Sequence, residues 1–462
     1  MNYAEFVSTK LTRAPLTGMA TVPTLSDSLF PFQRDLVKWA LLRGRAAIFA
    51  STGLGKTRMQ LEWAKHVSAH VARPVLVLAP LAVAQQSVAE GAKMGVPVTL
   101  CRESSDVRPG VNITNYDRLH KFDAREFGGV VLDESSIIKH HDAATLGILL
   151  NAFAQTPFKL CATATPAPND YTELGTHAEF LGVCTRAEML SEFFCHDGGE
   201  TQVWRVKGHA RKAFWQFVAS WGALLRSPSD LGYDDAGFRL PKLTVQQHII
   251  KADTDSVRAA GLLFAEEANT LGERRDARRA TVDARVRECV ALVKSDPRPW
   301  IVWCNLNSEQ DALKEAFGDM AFSVQGSDSI EDKEDRILRW IALERPVMVS
   351  KSKIMGFGLN LQMCARQAFV GVTDSWESYY QAIRRSWRFG QKHPVHVHIF
   401  ASELEGAVVK NLERKEADAE RMSNELSIET CEALRAEVLG QKRQTREYNP
   451  ATAIALPSWL AA

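Results

Sequence analysis

Very little in this sequence is extreme, and its absences narrow the field before any motif is considered. No apolar run approaches the ~18 residues that a membrane-spanning helix needs, and the first residues lack the apolar core of a secretory signal. A soluble, cytoplasmic protein is the expectation. The eight cysteines include no CxxC pair, which argues against a disulfide framework and for a reducing compartment. Cys195, His196 and His209 lie near one another in the chain but fit no standard zinc-ligand spacing. Net charge is lacking too: 56 Lys and Arg against 55 Asp and Glu leave a formal +1. With no polycationic tail and no global basic field, any contact with nucleic acid must come from local grooves.

What is present is material for cores. The chain has 462 residues, 45% of them apolar, enough for about three average domains. Short continuous apolar runs at 46–50, 75–79, 111–114, 130–132 and 158–162 alternate with helical patterns. Runs of this kind suit a parallel sheet covered on both faces, and the alternation gives a βαβ array. A second array begins near Pro297, with strands expected at 300–304, 347–350, 368–371 and 395–400. The fold class expected is therefore α/β, with two tandem doubly wound parallel-sheet lobes. Between them, 180–250 is rich in aromatics (Phe193, Phe194, Trp204, Phe214, Trp215) interleaved with Arg205, Lys207, Arg211 and Lys212. We expect a helical insertion there, and two uses of its aromatics stay open: packing against the first lobe, or a stacking platform for bases. The resulting division is an N-terminal extension (1–28), lobe one (29–179), the insertion and connector (180–250), lobe two (251–422) and a C-terminal helix and tail (423–462).

The sharpest chemical signal is Ala50-Ser51-Thr52-Gly53-Leu54-Gly55-Lys56-Thr57, which follows an expected strand and opens an expected helix. Gly53 and Gly55 let backbone amides close around phosphates, helped by the positive end of the helix. Lys56 would reach the β- and γ-phosphates, and the Thr57 hydroxyl would ligate Mg²⁺. The first position is Ala50 where the general pattern has glycine. A phosphate site of this kind needs an acid at the end of another strand. Val130-Val131-Leu132-Asp133-Glu134 supplies two. Asp133 would hold Mg²⁺ and Glu134 would orient and deprotonate a water; a helix N-cap is the structural alternative for the same pair. ATP and Mg²⁺ are the ligands implied.

These motifs together resemble superfamily 2 helicases, most closely the Swi/Snf-type DNA translocases in the compact form of phage and bacterial genomes. The resemblance runs from about Leu29 to Lys415 and implies two RecA-like lobes. It places Gln33, in Leu29-Phe30-Pro31-Phe32-Gln33, on the adenine, and Thr52, Gly53, Leu54 and Gly55 on the phosphates. Asp133-Glu134-Ser135-Ser136 matches the second nucleotide motif but lacks its usual Ala-His. Thr163 and Thr165, followed by Asn169, resemble the segment that couples hydrolysis to lobe movement, and Leu240-Pro241-Lys242 the connector between lobes. In lobe two, Gly356-Phe357-Gly358 matches a nucleotide-side motif. Gln381-Ala382-Ile383-Arg384-Arg385-Ser386-Trp387-Arg388-Phe389-Gly390-Gln391 is the most specific match. By resemblance Gln381 belongs to the nucleotide site, while Arg385 and Arg388 reach across the cleft to the γ-phosphate, Arg388 as the main finger. A guanidinium supplies the forked cation that a developing phosphoryl charge requires. Pro80, Asn115, Tyr116, Lys351 and Lys353 fall at strand-tracking positions that contact DNA phosphates without reading bases.

The function implied is an ATP-dependent translocase on duplex DNA, with partners from replication, recombination or restriction and no membrane. No segment of lobe two reads as a wedge, which favours movement without unwinding. Three alternatives remain: a strand-separating DNA or RNA helicase, a scaffold with a dead phosphate loop, and the motor part of a restriction or recombination assembly.

Overall fold

The computed structural model describes residues 14–80, 83–139, 144–167, 170–197, 200–250, 281–355, 361–371, 376–402, 414 and 430–440. The chain is α/β and holds two all-parallel sheets. The first is built from β1 (Arg45–Ala50), β2 (Val75–Ala79), β3 (Val98–Leu100), β4 (Val111–Asn115), β5 (Gly129–Asp133) and β6 (Phe158–Thr163). Next in the chain, β7 (Phe194–Asp197) and β8 (Glu200–Val206) form a separate antiparallel hairpin. The strand after it, β9 (Gly222–Leu225), returns to complete the order β3-β4-β2-β5-β6-β1-β9. The second sheet joins β10 (Leu243–Ile250), β11 (Trp300–Cys304), β12 (Ala321–Val324), β13 (Val347–Lys351), β14 (Arg366–Val370) and β15 (Val395–Ser402) in the order β10-β15-β14-β11-β13-β12.

Alternate side chains of each strand feed two different cores, which is why these strands read as unbroken apolar runs. From β1, Ala46 and Ile48 join the core under α1 (Pro31–Arg43) and α2 (Lys56–Val71), with Trp39 and Trp63. Ala47 and Phe49 point the other way, onto α5 (Leu174–Leu181) and α7 (Arg211–Ala219); α3 (Ala84–Met94), α4 (Ala144–Ala152) and α6 (Arg186–Phe193) complete the two layers. In the second sheet Ile301 and Trp303 share a core with Ala382 and Ile383 of the helix at Trp376–Ser386. Trp300 and Val302 face α8 (Val282–Ser295) and α9 (Asn307–Phe317).

The helical insertion expected over 180–250 is corrected. Only parts of it are helical: it also contains the β7–β8 hairpin, while β9 edges the first sheet and β10 the second. The passage from one sheet to the other therefore lies between Leu225 and Leu243. Its aromatics resolve in favour of packing, since Phe214, Trp215, Phe217 and Trp221 are all buried in the first unit's core.

The second unit carries a buried ion pair. Arg285 of α8 donates to Glu309 at 2.7 Å with both side chains wholly enclosed. The other oxygen of Glu309 accepts the backbone amides of Asn305 and Leu306, at 2.8 and 2.9 Å, at the start of α9. Replacing Arg285 by Met strands a buried carboxylate, so a loss of about 3–5 kcal/mol is expected in urea denaturation. Removing Glu309's cation also loosens the start of α9.

The helix over 430–439 follows the second sheet in sequence but packs on the first unit. Leu434 is fully buried there among α1 and β9 residues. Arg43 of α1 pairs with Glu437, and Arg435 donates to the carbonyls of Asp230 and Ser229, both at 2.9 Å. Leu434→Ala is expected to destabilise the first unit by about 2–5 kcal/mol, read as a lowered melting temperature.

Among the described residues no helix is long and apolar enough to cross a membrane.

Candidate functional site

In a parallel sheet every strand points the same way, so the carboxyl ends of β1, β5 and β6 open on one edge. The glycine-rich loop leaves β1 at that edge and enters α2 at Lys56. Gly53 and Gly55 both take left-handed backbone, with φ of 95° and 78°, a conformation glycine adopts at no steric cost. They are also crowded. A Cβ on Gly55 would lie 2.3 Å from the Gln33 amide nitrogen, and one on Gly53 2.5 Å from the Phe389 backbone nitrogen. Gly55 gives α2 no side-chain cap, leaving first-turn amides to face an anion. The Lys56 ammonium donates to the Ala50 carbonyl at 2.8 Å and the Ser51 carbonyl at 3.5 Å, folded back along the loop. Burial brings its pKa down to about 8, against the opposing pull of Glu134 and Asp133. Thr52 and Thr57 flank it half-buried, and Leu54 is buried.

Asp133 ends β5, and its carboxylate accepts from the Gln60 amide at 2.6 Å. Burial, with Glu134 adjacent, pushes its pKa up to about 6. Glu134 stands in left-handed backbone at φ 52° and ψ 51°. A glutamate pays for that conformation, and such residues concentrate at functional sites. Its carboxylate lies 3.5 Å from the Thr163 hydroxyl at the end of β6 and 3.6 Å from Arg385. The same Thr163 hydroxyl accepts the Thr165 backbone amide at 3.2 Å. Thr163 thus touches the acid directly, and Thr165 is linked to it through the Thr163 hydroxyl.

The arginines arrive from the second unit. Arg385 lies near the end of the Trp376–Ser386 helix, is buried, and donates to Gln381 one turn back at 2.9 Å. The Gln381 oxygen thereby holds Arg385 in place, while its Nε2 is buried without a partner. Arg388 follows the helix; burial, with Arg385 beside it, lowers its pKa to about 10. Its loop is held by Gln391, whose amide donates to the Gln362 and Ser386 carbonyls at 2.9 and 3.2 Å. Arg384 takes another course and lies over the Tyr380 and Trp387 rings. Lys56, Arg385 and Arg388 thus lie within electrostatic reach of Asp133 and Glu134, three cations against two carboxylates.

Several of the residues expected at ligand contacts have partners within the protein. Gln33 is 1% exposed and both its polar ends are engaged, its oxygen by the Phe30 amide at 3.0 Å and its nitrogen by the Leu54 carbonyl at 2.8 Å. It staples α1 to the glycine-rich loop. Asn115 caps the short helix after β4 by accepting from the Arg118 amide at 3.1 Å. The Tyr116 hydroxyl donates to the Asp133 carbonyl at 2.7 Å, and burial raises its pKa well above the usual phenol range. Both side chains are engaged within the protein. Pro80 follows β2, half-buried; Lys351 ends β13 and donates to the Asn307 side chain, and Lys353 is exposed. Gly356, Phe357, Gly358 and Asn169 lie outside the described residues.

Four residues here were not singled out in the sequence. Gln60 faces the sheet one turn into α2, a position with no signature of its own. Phe389 sits inside a motif whose arginines draw the attention. Gln362 follows the glycine-rich motif of the second unit. His177 accepts or donates at 3.1 Å to Ser135, just beyond the acids, and burial lowers its pKa to about 4. It therefore stays neutral at ordinary pH and supplies a fixed hydrogen bond where Ser135 stands.

The chain matches no family model, and no curated protein matches it.

Proposed function

We propose that this chain is an ATP-driven nucleic-acid motor of the superfamily 2, Swi/Snf type, with its two sheets as RecA-like lobes and duplex DNA as its track. The observation that carries the reading is the approach of Arg385 from one lobe to Glu134 of the other, 3.6 Å apart beside Lys56. A hydrolytic site split between two bodies makes closure depend on the triphosphate, so that hydrolysis becomes opening and stepping.

ATP fits the residues present as substrate. Gly53 and Gly55 carry the left-handed backbone of the loop that opens α2, and Thr165 Oγ1, Gln381 Nε2 and Arg388 Nε are buried polar atoms without a protein partner. Buried polar atoms of this kind call for a ligand to satisfy them. Among the described residues no group of three or more His, Cys, Asp or Glu could hold a metal by itself. One carboxylate and one hydroxyl, Asp133 and Thr57, form the sparse oxygen set with which Mg²⁺ is held jointly by protein and phosphates. When bound, Mg²⁺ would neutralise charge on the phosphates. Lys56 leaves its carbonyl partners for the phosphates, and Glu134 takes a proton from the attacking water. Arg388 and Arg385 stabilise the charge that develops on the transferred group.

The deciding experiment is ATP turnover against duplex DNA, single-stranded DNA, forks and RNA. Stimulation chiefly by duplex DNA is expected; turnover indifferent to every nucleic acid would sink the motor reading. A strand-separating helicase is the second reading, favoured by the β7–β8 hairpin that stands apart from the first sheet. Displacement of one strand from a fork, with none from a blunt duplex, would support it.

A further inference from the structure

Three histidines gather on one face of the second sheet. Side chains alternate along β15, so His396, His398 and Phe400 share the face that α8 covers, while Val395, Val397 and Ile399 feed the opposite core. His248 of β10 stacks on Phe400 with ring centroids 4.5 Å apart, and its Nε2 lies 3.0 Å from Nδ1 of His398. Where β11, β14 and β15 begin, this face opens into a cavity of about 610 Å³, lined among others by Asp296, Arg298, Trp300, Arg366, His396 and His398. That volume lies in the range of small-molecule sites.

The cations of this wall are held in place beforehand. Arg298 donates to both oxygens of Asp296, at 2.7 and 2.6 Å, and Arg366 Nε donates to one of them at 3.3 Å. Each guanidinium carries five N–H donors, so both keep some to offer once Asp296 is satisfied. Two guanidiniums against one carboxylate leave a net positive wall. The imidazoles add nitrogens in need of partners. Among the described residues neither ring nitrogen of His396, nor Nε2 of His398, has a hydrogen-bond partner, although His398 is only 8% exposed. Burial first, then neighbouring cations and imidazoles, keep both rings below the usual imidazole range, His398 at about 4. Both are therefore neutral at pH 7 and able to gain a proton.

We propose that this cavity binds a small organic anion, a carboxylate or a phosphate monoester, which Arg366 and Arg298 grip and His396 and His398 receive. Guanidinium forks match the oxygens of both head groups. Leu292 and Trp300 supply an apolar wall for the organic part. None of these residues belongs to the hydrolytic site. The contact with His248 sets the tautomer: for neutral His398 to donate from Nε2, its Nδ1 must accept and His248 must be the donor. An anion favours the imidazolium form, so binding takes up a proton and tightens as the pH falls. Arg366, Arg298 and Lys242 face His396 and oppose that protonation, while Asp296 favours it. His398 faces His248, His396, Arg366 and Asp296, and His248 faces Glu288 of α8.

The test is calorimetric titration of the full chain with benzoate and with phenyl phosphate, at pH 8 and at pH 6. Benzoate stays ionised throughout, like any ordinary carboxylate, so its pH dependence reports the protein. It is expected to bind about ten-fold tighter at pH 6, inside the ~100-fold that uptake of one proton allows over that interval. His396→Gln keeps a donor but cannot take a proton, and should flatten this dependence while leaving binding at pH 8. Arg366→Gln should weaken the probe by about ten-fold or more. Asp296 stays paired with Arg298 in that variant, and an unchanged melting temperature checks the fold. If it fails to fold, Arg298→Gln, on a side chain 61% exposed, should weaken the probe in the same direction. Binding of one probe alone identifies the head group that the site takes. Binding of neither would overturn the proposal, as would equal benzoate affinity at the two pH values. Affinity unchanged in the folded arginine variants places the probe elsewhere, the phosphate loop included, and overturns it as well.

Discussion

Glu134→Gln is expected to lower nucleic-acid-stimulated ATP turnover by about 10²–10⁴, the usual contribution of a positioned general base, while nucleotide binding survives. The substitution is almost isosteric. Gln keeps an oxygen for the Thr163 hydroxyl and tolerates the left-handed backbone as well as Glu does, so the fold is expected to be unchanged by circular dichroism. Arg385 loses its carboxylate neighbour but keeps its bond to Gln381. What disappears is the proton acceptor. Lys56→Ala should give a comparable loss for a different reason, because it removes the cation nearest the phosphates and weakens nucleotide binding as well. The pair of variants separates chemistry from binding: the first is expected to hold nucleotide without turning it over, the second to do neither. Near-normal turnover in either purified variant would remove the roles assigned here.

Arg388→Ala is expected to reduce turnover at saturating ATP by about 10³ or more, the effect typical of an arginine that completes a phosphoryl-transfer site from across an interface. Its backbone loop is fixed by Gln391 and its Nε has no protein partner, so the side chain is available to a ligand. Arg385 is more committed, to Gln381 and toward Glu134, and its removal should both slow turnover and loosen the contact between units. Lysine at position 388 keeps the charge but not the planar fork, and little rescue is expected. Measuring steady-state turnover beside nucleotide affinity checks the assignment. A larger loss in Arg385→Ala than in Arg388→Ala, with affinity unchanged in both, would exchange their parts.

The strands of both sheets were legible wherever an apolar run was enclosed on both faces. β2 and β11 fall where the sequence places them, β1 and β13 differ by one residue at one end, and β5 by one residue at each end. The strands that escaped lie at edges or are short. β10 has exposed Val245 and Ile249 and a polar centre at Gln246 and Gln247, so it does not read as an enclosed run. β9 is only four residues long and follows directly on an aromatic helix. At the site, the residues whose chemistry needs a fixed spacing along one segment were visible: Lys56 after its glycines, Asp133 and Glu134 at a strand end. Those defined by what packs against them in space were not. Gln33, Asn115 and Tyr116 carry the right residue types for ligand contact, yet their partners are backbone groups far along the chain or one turn away. No spacing rule announces such a partner. The aromatic segment resolved as core for the same reason: its rings and its cations point to different sides of α7.

The return of the helix over 430–439 to the first unit has a consequence for how this chain is made. A ribosome releases the first sheet long before Leu434, Arg435 and Glu437 exist. Domains generally fold as they emerge, N-terminal first. Here the earlier unit waits, with the site of Leu434 uncovered, until the later one has been synthesised. This late helix then closes the first unit: a chain truncated after the second sheet is expected to have both sheets but an unfinished first unit. The two units are consequently interleaved in time as well as in sequence, and cutting between them at any single peptide bond yields no intact half.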